Sequence, residues 1–236
     1  MSGEVKVSDE AEVLVERRER VLVITINRPQ VRNAFNLAVA KGLADAMDEL
    51  DDTAELSVAI VTGAGGNFCA GMDLKAFMAG EVPAIPGRGI GFTERPPRKP
   101  VIAAVEGYAL AGGTEIVLAT DLVVAATNAK FGIPEVKRGL VAAGGGLLRL
   151  PRRIPYQKAL ELALTGDSFT AEQAAQWGFV NVLTEPGQAL TGALALAERI
   201  TANGPLAVAV TKQVIAKSAD WSEEEMWKKQ LGLISP

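Results

Sequence analysis

The chain has 236 residues, 48% of them hydrophobic, which suits one large domain with a sizeable core. Its net charge of −4 argues against nucleic acid as a main partner, and its single cysteine excludes a disulfide framework or a multi-cysteine zinc site. Because the chain has no histidine, it cannot contain a Ser-His-Asp triad, a Cys-His pair or a histidine metal site. Acid–base chemistry near neutral pH must therefore come from carboxyl, Lys, Tyr or Cys groups.

The start of the chain carries no apolar run, so no secretory signal is expected there. No stretch of 18 or more apolar residues predicts a membrane span. Together with the single cysteine, these features predict a cytoplasmic protein.

The N-terminal third predicts a hairpin, a helix and a buried strand. Residues 11–17 and 20–27 alternate apolar and polar side chains around a short charged turn, which is typical of antiparallel strands. Asn36 is predicted to cap a helix with one apolar face. That face carries Val39, Leu43, Met47 and Leu50. Residues 56–63 are largely β-branched and predict a buried strand.

The rest of the chain predicts an α/β core followed by helices. Residues 80–100 are rich in Gly, Pro and charge and should be mobile or irregular. Residues 101–105 and 122–127 predict buried strands, joined by a glycine turn and an apolar helix, and the pattern after Gly139 is mainly helical. We place the core domain at residues 1–190 and a C-terminal helical region at residues 191–236.

Two glycine-rich turns follow predicted strands, in "NFCAGMDLKAF" (67–77) and "GYALAGGTEI" (107–116). The first does not match the Rossmann fingerprint, because Phe68 stands where the third glycine should be, and no P-loop is present. Each turn would leave backbone N–H groups free at a helix start, and two such donors aimed at one oxygen form an oxyanion hole. The alternative is that both are only tight strand–helix turns.

Two glutamates lie among apolar or small neighbours. Glu115 follows Gly112 by three residues, and Glu135 lies in "KFGIPEVKRGL". A carboxyl in such surroundings can have a raised pKa, which suits proton transfer near neutral pH. The alternatives are a charge favoured by the helix dipole for Glu115 and a surface position for Glu135.

Four segments together resemble the crotonase (enoyl-CoA hydratase/isomerase) superfamily, with a pattern closest to the enoyl-CoA hydratases. They are "INRPQVRNAFN", "GNFCAGMDLKAF", "PVIAAVEGYALAGGTEIVLATDLVVAATNAKFGIPEVKRGL" and "ELALTGDSFTAEQAAQWGFVNVL". The resemblance implies an α/β fold, a spiral of ββα units forming two roughly perpendicular sheets, with a C-terminal helical region used in trimerisation. It also implies a homotrimer or a dimer of trimers. Because relatives usually continue into a final helix, we expect the C-terminal region to be incomplete at its end.

The resemblance further implies an acyl-CoA or enoyl-CoA thioester as substrate, with no metal and no cofactor beyond the coenzyme A that belongs to the substrate. The backbone N–H groups of Met72 and Gly112 would hold the thioester oxygen, and Glu115 and Glu135 would flank one water molecule. Contacts to CoA or substrate are implied for Val31, Arg32, Ala70, Asp73, Leu74 and Lys75.

The leading hypothesis is an enoyl-CoA hydratase that adds water in syn fashion to a 2-enoyl-CoA, or catalyses the reverse reaction, with β-oxidation as the default pathway. One alternative is an enoyl-CoA isomerase or a dehydratase of a hydroxylated acyl-CoA such as carnitinyl-CoA. A second alternative is a non-catalytic acyl-CoA-binding protein. Ala111 and Ala143 stand where relatives often have glycine, and their methyl groups could displace the water.

Overall fold

The computed structural model describes residues 11–234. In chain order its strands are β1 (Val13–Arg18), β2 (Val21–Ile26), β3 (Val58–Gly63), β4 (Val101–Val105), β5 (Tyr108–Leu110), β6 (Leu122–Ala126), β7 (Lys130–Gly132), β8 (Ser168–Thr170) and β9 (Val182–Thr184). Its helices are α1 (Leu37–Asp52), α2 (Leu74–Met78), α3 (Gly112–Ala119), α4 (Gly146–Arg153), α5 (Tyr156–Thr165), α6 (Ala171–Gln176), α7 (Ala189–Thr201), α8 (Pro205–Ser218) and α9 (Glu223–Ile234).

The larger sheet has six strands in the order β1-β2-β3-β4-β6-β9. The β1–β2 pair is antiparallel and every other pair in it is parallel. The predicted hairpin and the α/β class are therefore confirmed. Parallel neighbours need long crossover connections, and the helices lie in those connections.

The alternation of side chains along the strands separates two cores. Along β3, Ala59 and Val61 face the main core with α1, whereas Val58 and Ile60 face α7. Helix α7 lies against this second face through small residues at four-residue spacing. They are Ala189, Ala193 and Ala197.

Helix α1 begins and packs as its sequence predicts. The Asn36 side-chain oxygen accepts the Val39 N–H at 2.9 Å, which satisfies one of the free donors at the helix start. The four residues of the predicted apolar face are all buried. The cap and the face are therefore confirmed.

The family resemblance implied a second sheet, but the strands of the smaller sheet, β5-β7-β8, were not located in the sequence. The sequence indicated only a glycine turn before α3 and mainly helices after Gly139. The strands of the smaller sheet are three residues long, as is β9 in the larger sheet. Strands this short are too short for an alternating pattern to be recognised in the sequence. Packing among Phe131, Phe169 and Phe179 holds them, with ring centroids 5.3–6.2 Å apart.

The segment of residues 80–100 contains no helix or strand, as its composition predicted. It is nevertheless fastened to the core, because Ile90 and Phe92 are buried and the Arg98 N–H donates to the Asp51 carboxylate at 2.9 Å. The segment thus lies as an ordered cover over α1.

The last two helices have no buried residue, in contrast with α7. The division of the chain at residue 190 stays a prediction. None of the helices within residues 11–234 combines the length and apolar character needed to cross a membrane. The predictions for the first ten residues and for the end of the chain past residue 234 lie outside the described residues.

Candidate active site

The two glycine-rich turns lie side by side because the chain before each of them runs parallel. Residues 69–72 lie along β5, where the Cys69 N–H donates to the Tyr108 carbonyl (2.9 Å) and the Leu110 N–H donates to the Cys69 carbonyl (3.0 Å). Parallel segments end at the same edge. The turn at residue 72 and the turn after β5 are therefore neighbours.

Phe35 sets the direction of the Met72 N–H. The Phe35 N–H donates to the Gly71 carbonyl and the Asp73 N–H donates to the Phe35 carbonyl, both at 2.9 Å. In a planar trans peptide the C=O and N–H point in opposite directions. The Met72 N–H therefore points away from Phe35, to the side on which β5 lies.

Gly112 supplies the second N–H group. As the first residue of α3 it has no intrahelical acceptor for its N–H. A Cβ built on Gly71 would lie 3.8 Å from the Gly112 nitrogen, so the two turns are in contact. The structure thus brings together the two turns that carry these N–H groups, and the role of the groups as an oxyanion hole stays a prediction.

Ala111, between β5 and α3, has φ 51° and ψ −127°, a conformation normally reserved for glycine. Its methyl group faces Gly71, where an added Cβ would lie only 2.9 Å from it. The backbone here is strained, and such residues cost about 1–3 kcal/mol each.

Glu115 lies on the first turn of α3 and is only 3% exposed. Its Oε1 accepts the Gly146 N–H at 2.9 Å. A Cβ on Gly144 would lie 2.5 Å from its Oε2, so a glycine is required for the loop to wrap the carboxylate this closely.

Glu135 reaches the same region through β7, which pairs in parallel with β5. The Thr114 hydroxyl accepts the Gly132 N–H (3.0 Å) and donates to the Ala109 carbonyl (2.6 Å), which ties the start of α3 to the end of β7. Glu135 begins the short 3-10 helix that follows. Both glutamates therefore follow adjacent parallel strands.

Burial raises the pKa of both carboxyl groups. For Glu115 the rise is opposed by the N–H groups of Gly146 and Gly144 and by the positive charge of Arg149. For Glu135 the negative charge of Glu115 adds to the rise in pKa caused by burial. Its Oε2 is buried without a hydrogen-bond partner among the described residues. The two carboxyls are thus electrostatically coupled and suited to proton transfer.

The predicted CoA contacts flank the Met72 turn. Val31, Leu74 and Lys75 are exposed, and the Arg32 guanidinium lies 5.7 Å from the centre of the Tyr108 ring. The structure places them on the surface beside the turn, where a ligand could reach them.

Two of the predicted contacts are already engaged within the protein. The Ala70 N–H donates to the Arg32 carbonyl at 3.0 Å, which leaves the Ala70 carbonyl as its main-chain group for a ligand. The Asp73 carboxylate caps α2 and pairs with Arg28.

The family model described as enoyl-CoA hydratase/isomerase matches residues 16–235. The chain belongs to this family. It is 44% identical to enoyl-CoA hydratase EchA19 from Mycobacterium tuberculosis, over 94% of this chain and 87% of that protein. It is 41% identical to a carnitinyl-CoA dehydratase from Salmonella arizonae, over 90% of this chain and 83% of that protein.

Among solved structures, enoyl-CoA hydratase EchA1 from Mycobacterium marinum is 67% identical. The TM-score is 0.94, with 95% of this chain and 89% of that chain covered. The predicted crotonase-type α/β fold is thereby confirmed, as is the similarity to enoyl-CoA hydratases.

Three features of this family member's site were not singled out in the sequence. Asn33, buried and with φ 56°, donates its side-chain amide to the carbonyls of Ala64 (2.8 Å) and Asn67 (2.6 Å) and so holds the loop that leads to residue 72. Arg28 pairs with Asp73, and the glycines at 144 and 146 wrap Glu115. For Asn33 the only sequence signal is the residue type, since asparagine is one of the few residues that readily adopt a left-handed conformation.

An apolar cavity of about 450 Å³ borders Glu135. Its other walls come mainly from α4 and α5 and include Ile133, Val136, Leu147, Tyr156 and Leu160. Within residues 11–234 no group of three or more Cys, Asp or Glu side chains is placed to hold a metal ion.

The raised pKa of Glu135 predicts a pH-dependent gain in stability for Glu135→Gln. A carboxyl whose pKa is raised by folding stabilises the fold below its ordinary pKa, and that contribution is lost as the pH rises through the raised value. The neutral amide avoids this loss. Above pH ~7 the variant should therefore melt at a higher temperature than the wild type, by ~2–4 °C for each kcal/mol gained.

Below pH ~4, where the carboxyl is protonated, the two melting temperatures should converge. Thermal denaturation followed by circular dichroism at both pH values checks this. The exposed Glu185→Gln is the matched control and should change little at either pH. A lower melting temperature for Glu135→Gln above pH ~7 would contradict the prediction.

The strain at Ala111 predicts that Ala111→Gly raises the free energy of unfolding by ~1 kcal/mol, since relief of strain outweighs the added freedom of the unfolded chain. Urea denaturation measures this. Ala109→Gly, in the buried and extended β5, is the control and should lower stability instead. Equal losses for both variants would show that residue 111 is not strained.

Proposed function

We propose that this chain is an enoyl-CoA hydratase, which adds water in syn fashion across the double bond of a 2-enoyl-CoA thioester or removes it in the reverse direction. One observation carries the proposal: a buried glutamate, Glu115, and a half-buried one, Glu135, are electrostatically coupled and lie at the same strand edge as the two glycine-rich turns. Hydration of a conjugated thioester needs both parts, a proton-transfer pair and a site for negative charge on oxygen.

The N–H groups of Met72 and Gly112 would hold the thioester oxygen. Attack of water at C3 moves electrons toward this oxygen, and the enolate-like charge is stabilised by donors already in place. In enzymes from which one such donor was removed, the loss was ~3 kcal/mol of transition-state stabilisation.

Glu115 and Glu135 would move the protons. One carboxylate takes a proton from water as the water oxygen bonds to C3, and a proton is delivered to C2, so that H and OH add to one face. Burial raises the pKa of both carboxyl groups, which favours proton uptake, and the Gly146 N–H holds Glu115 in one orientation. No metal or additional cofactor enters this scheme.

CoA would lie along the exposed surface beside the Met72 turn. Lys75 and Arg32 would offer positive charge to its phosphates, and the Ala70 carbonyl would accept a hydrogen bond from the adenine. Val31 and Leu74 would give apolar contact. For Asp73 only the backbone is left for the ligand, since both side-chain oxygens are engaged within the protein.

Dehydration of a hydroxylated acyl-CoA is the second candidate function. It uses the same two glutamates in the reverse direction, and the 41% identity to a carnitinyl-CoA dehydratase favours it. An isomerase would need only one glutamate as a proton shuttle, and a non-catalytic binder would need neither.

Glu115→Gln and Glu135→Gln should each lower kcat for hydration by ~10²–10⁴-fold, because the amide cannot exchange a proton with water. Loss of the enoyl thioester's ultraviolet absorbance measures hydration of crotonyl-CoA, a decenoyl-CoA and a ring-bearing enoyl-CoA. A gain of the same absorbance measures dehydration of carnitinyl-CoA. Binding of a saturated acyl-CoA, followed by calorimetry, should change only a few-fold.

Glu185→Gln is the matched control and should keep wild-type turnover. Turnover that survives in either site variant would exclude the two-glutamate mechanism. Conversion of a 3-enoyl-CoA that depends on only one glutamate would identify an isomerase. Binding without turnover for every ester would identify a non-catalytic binder.

The chain should also form a homotrimer or a dimer of trimers and act in the cytoplasm. Support for assembly comes from the large apolar side chains that α8 and α9 leave exposed. They are Leu206, Ile215, Trp227, Leu231 and Ile234. The single, fully buried thiol of Cys69, with its pKa raised by burial to about 12, is compatible with a reducing compartment.

Analytical ultracentrifugation should give three or six times the 24.8 kDa chain mass. The double substitution Trp227→Lys, Leu231→Lys should release monomers, because it places charge on the apolar face of α9. Val82→Lys, equally exposed but outside these helices, should leave the mass unchanged. A wild-type monomer at micromolar concentration would contradict the proposed assembly.

A further inference from the structure

Arg28 connects the two segments that hold the Met72 turn. Its Nη2 lies 2.9 Å from Oδ2 of Asp73, and its Nη1 donates to the Ala34 carbonyl. Its Nε lies 3.1 Å from the Glu12 carboxylate. One guanidinium thus contacts three separate parts of the chain.

These contacts flank the bridge that orients the Met72 N–H. That bridge consists of two hydrogen bonds between Phe35 and the residues on either side of Met72. Arg28 bonds to Ala34, just before Phe35, and to Asp73, just after Met72. The planar fork of the guanidinium matches two acceptors at a fixed separation, so it holds the two segments in one register.

The ion pair is largely withdrawn from solvent, with side-chain exposures of 12% for Arg28 and 15% for Asp73. A charge-assisted hydrogen bond in such surroundings is strong and restricts geometry. The other oxygen of Asp73 accepts the N–H groups of Lys75 (3.0 Å) and Ala76 (3.2 Å). Asp73 therefore links Arg28 to the start of α2 directly after Met72.

We propose that Arg28, acting through Asp73, is a positioning residue that aims the Met72 N–H at the thioester oxygen. This rests on the proposed hydratase function. The Phe35 bridge fixes the direction of the Met72 N–H, and the Arg28 contacts hold the two segments of that bridge together. A displacement of ~1 Å at a reacting centre can cost ~10²-fold in rate. Arg28 itself touches neither substrate nor reacting atoms.

The test compares Arg28→Met, Arg28→Lys and Asp73→Asn with the wild type. Two quantities are measured: kcat and KM for the best enoyl-CoA, and the infrared carbonyl band of a bound saturated acyl-CoA labelled with ¹³C at the thioester carbon. Hydrogen bonds to the carbonyl oxygen shift this band to lower frequency. We expect Arg28→Met and Asp73→Asn to lower kcat by ~10–100-fold with little change in KM, and to lose part of the band shift.

Arg28→Lys should give a kcat and a band shift between those of Arg28→Met and the wild type, because an ammonium keeps the charge but lacks the planar fork. Arg18→Met removes an exposed arginine that pairs with Glu16 and is the matched control, expected to behave as the wild type. Asp73→Asn keeps an oxygen for the α2 cap, so it carries the test if Arg28→Met does not fold.

A wild-type band shift and kcat in a folded Asp73→Asn or Arg28→Met would overturn the positioning role. A lower melting temperature with unchanged kcat and band would do the same, since it would show a purely structural ion pair. Failure of the proposed function would give a different result, because the wild type itself would then turn over no enoyl-CoA. Glu135→Gln should lose turnover yet keep the full band shift, which separates proton transfer from carbonyl positioning.

Discussion

The site depends on one constraint, the parallel alignment of three neighbouring backbone segments: residues 69–72, β5 and β7. Because parallel segments end at the same edge, the turn at Met72, the start of α3 and the residues after β7 meet there. Two N–H donors and two carboxyls then come together without a long or flexible connection. Backbone hydrogen bonds between the segments set the distances among them, which is how a site on rigid elements keeps its geometry.

Bringing these groups together at one strand edge also costs free energy of folding. Glu115 is buried and Glu135 half-buried, and they are close enough for the charge of Glu115 to raise the pKa of Glu135. Ala111 adopts a backbone conformation that suits glycine. These are the features that a fold optimised only for stability would avoid, and proteins keep such features where chemistry needs them. The two large cores on either side of the six-stranded sheet, and α7 packed on one of them, offset the cost.

Much of the fold could be predicted where the signal is local. The β1–β2 hairpin, the Asn36 cap and the apolar face of α1 follow from alternation, capping chemistry and helical spacing, each read within a few residues. The strands of the smaller sheet could not, because three-residue strands carry no period and are formed by their partners. The ion pair of Arg28 with Asp73 joins positions 45 residues apart and leaves no local pattern.

The sequence by itself determined the types of groups available: glycine-rich turns that expose backbone N–H groups, two glutamates among apolar neighbours, and no histidine to compete with them. Its motifs also sufficed to place the chain in its family. Only the tertiary structure decided that the two turns touch, that the glutamates share one region, and that Phe35 bonds to both neighbours of Met72 while Arg28 pairs with Asp73. The physical reason is that residue type and spacing set local conformation, whereas the meeting of distant segments results from strand pairing and burial over the whole chain.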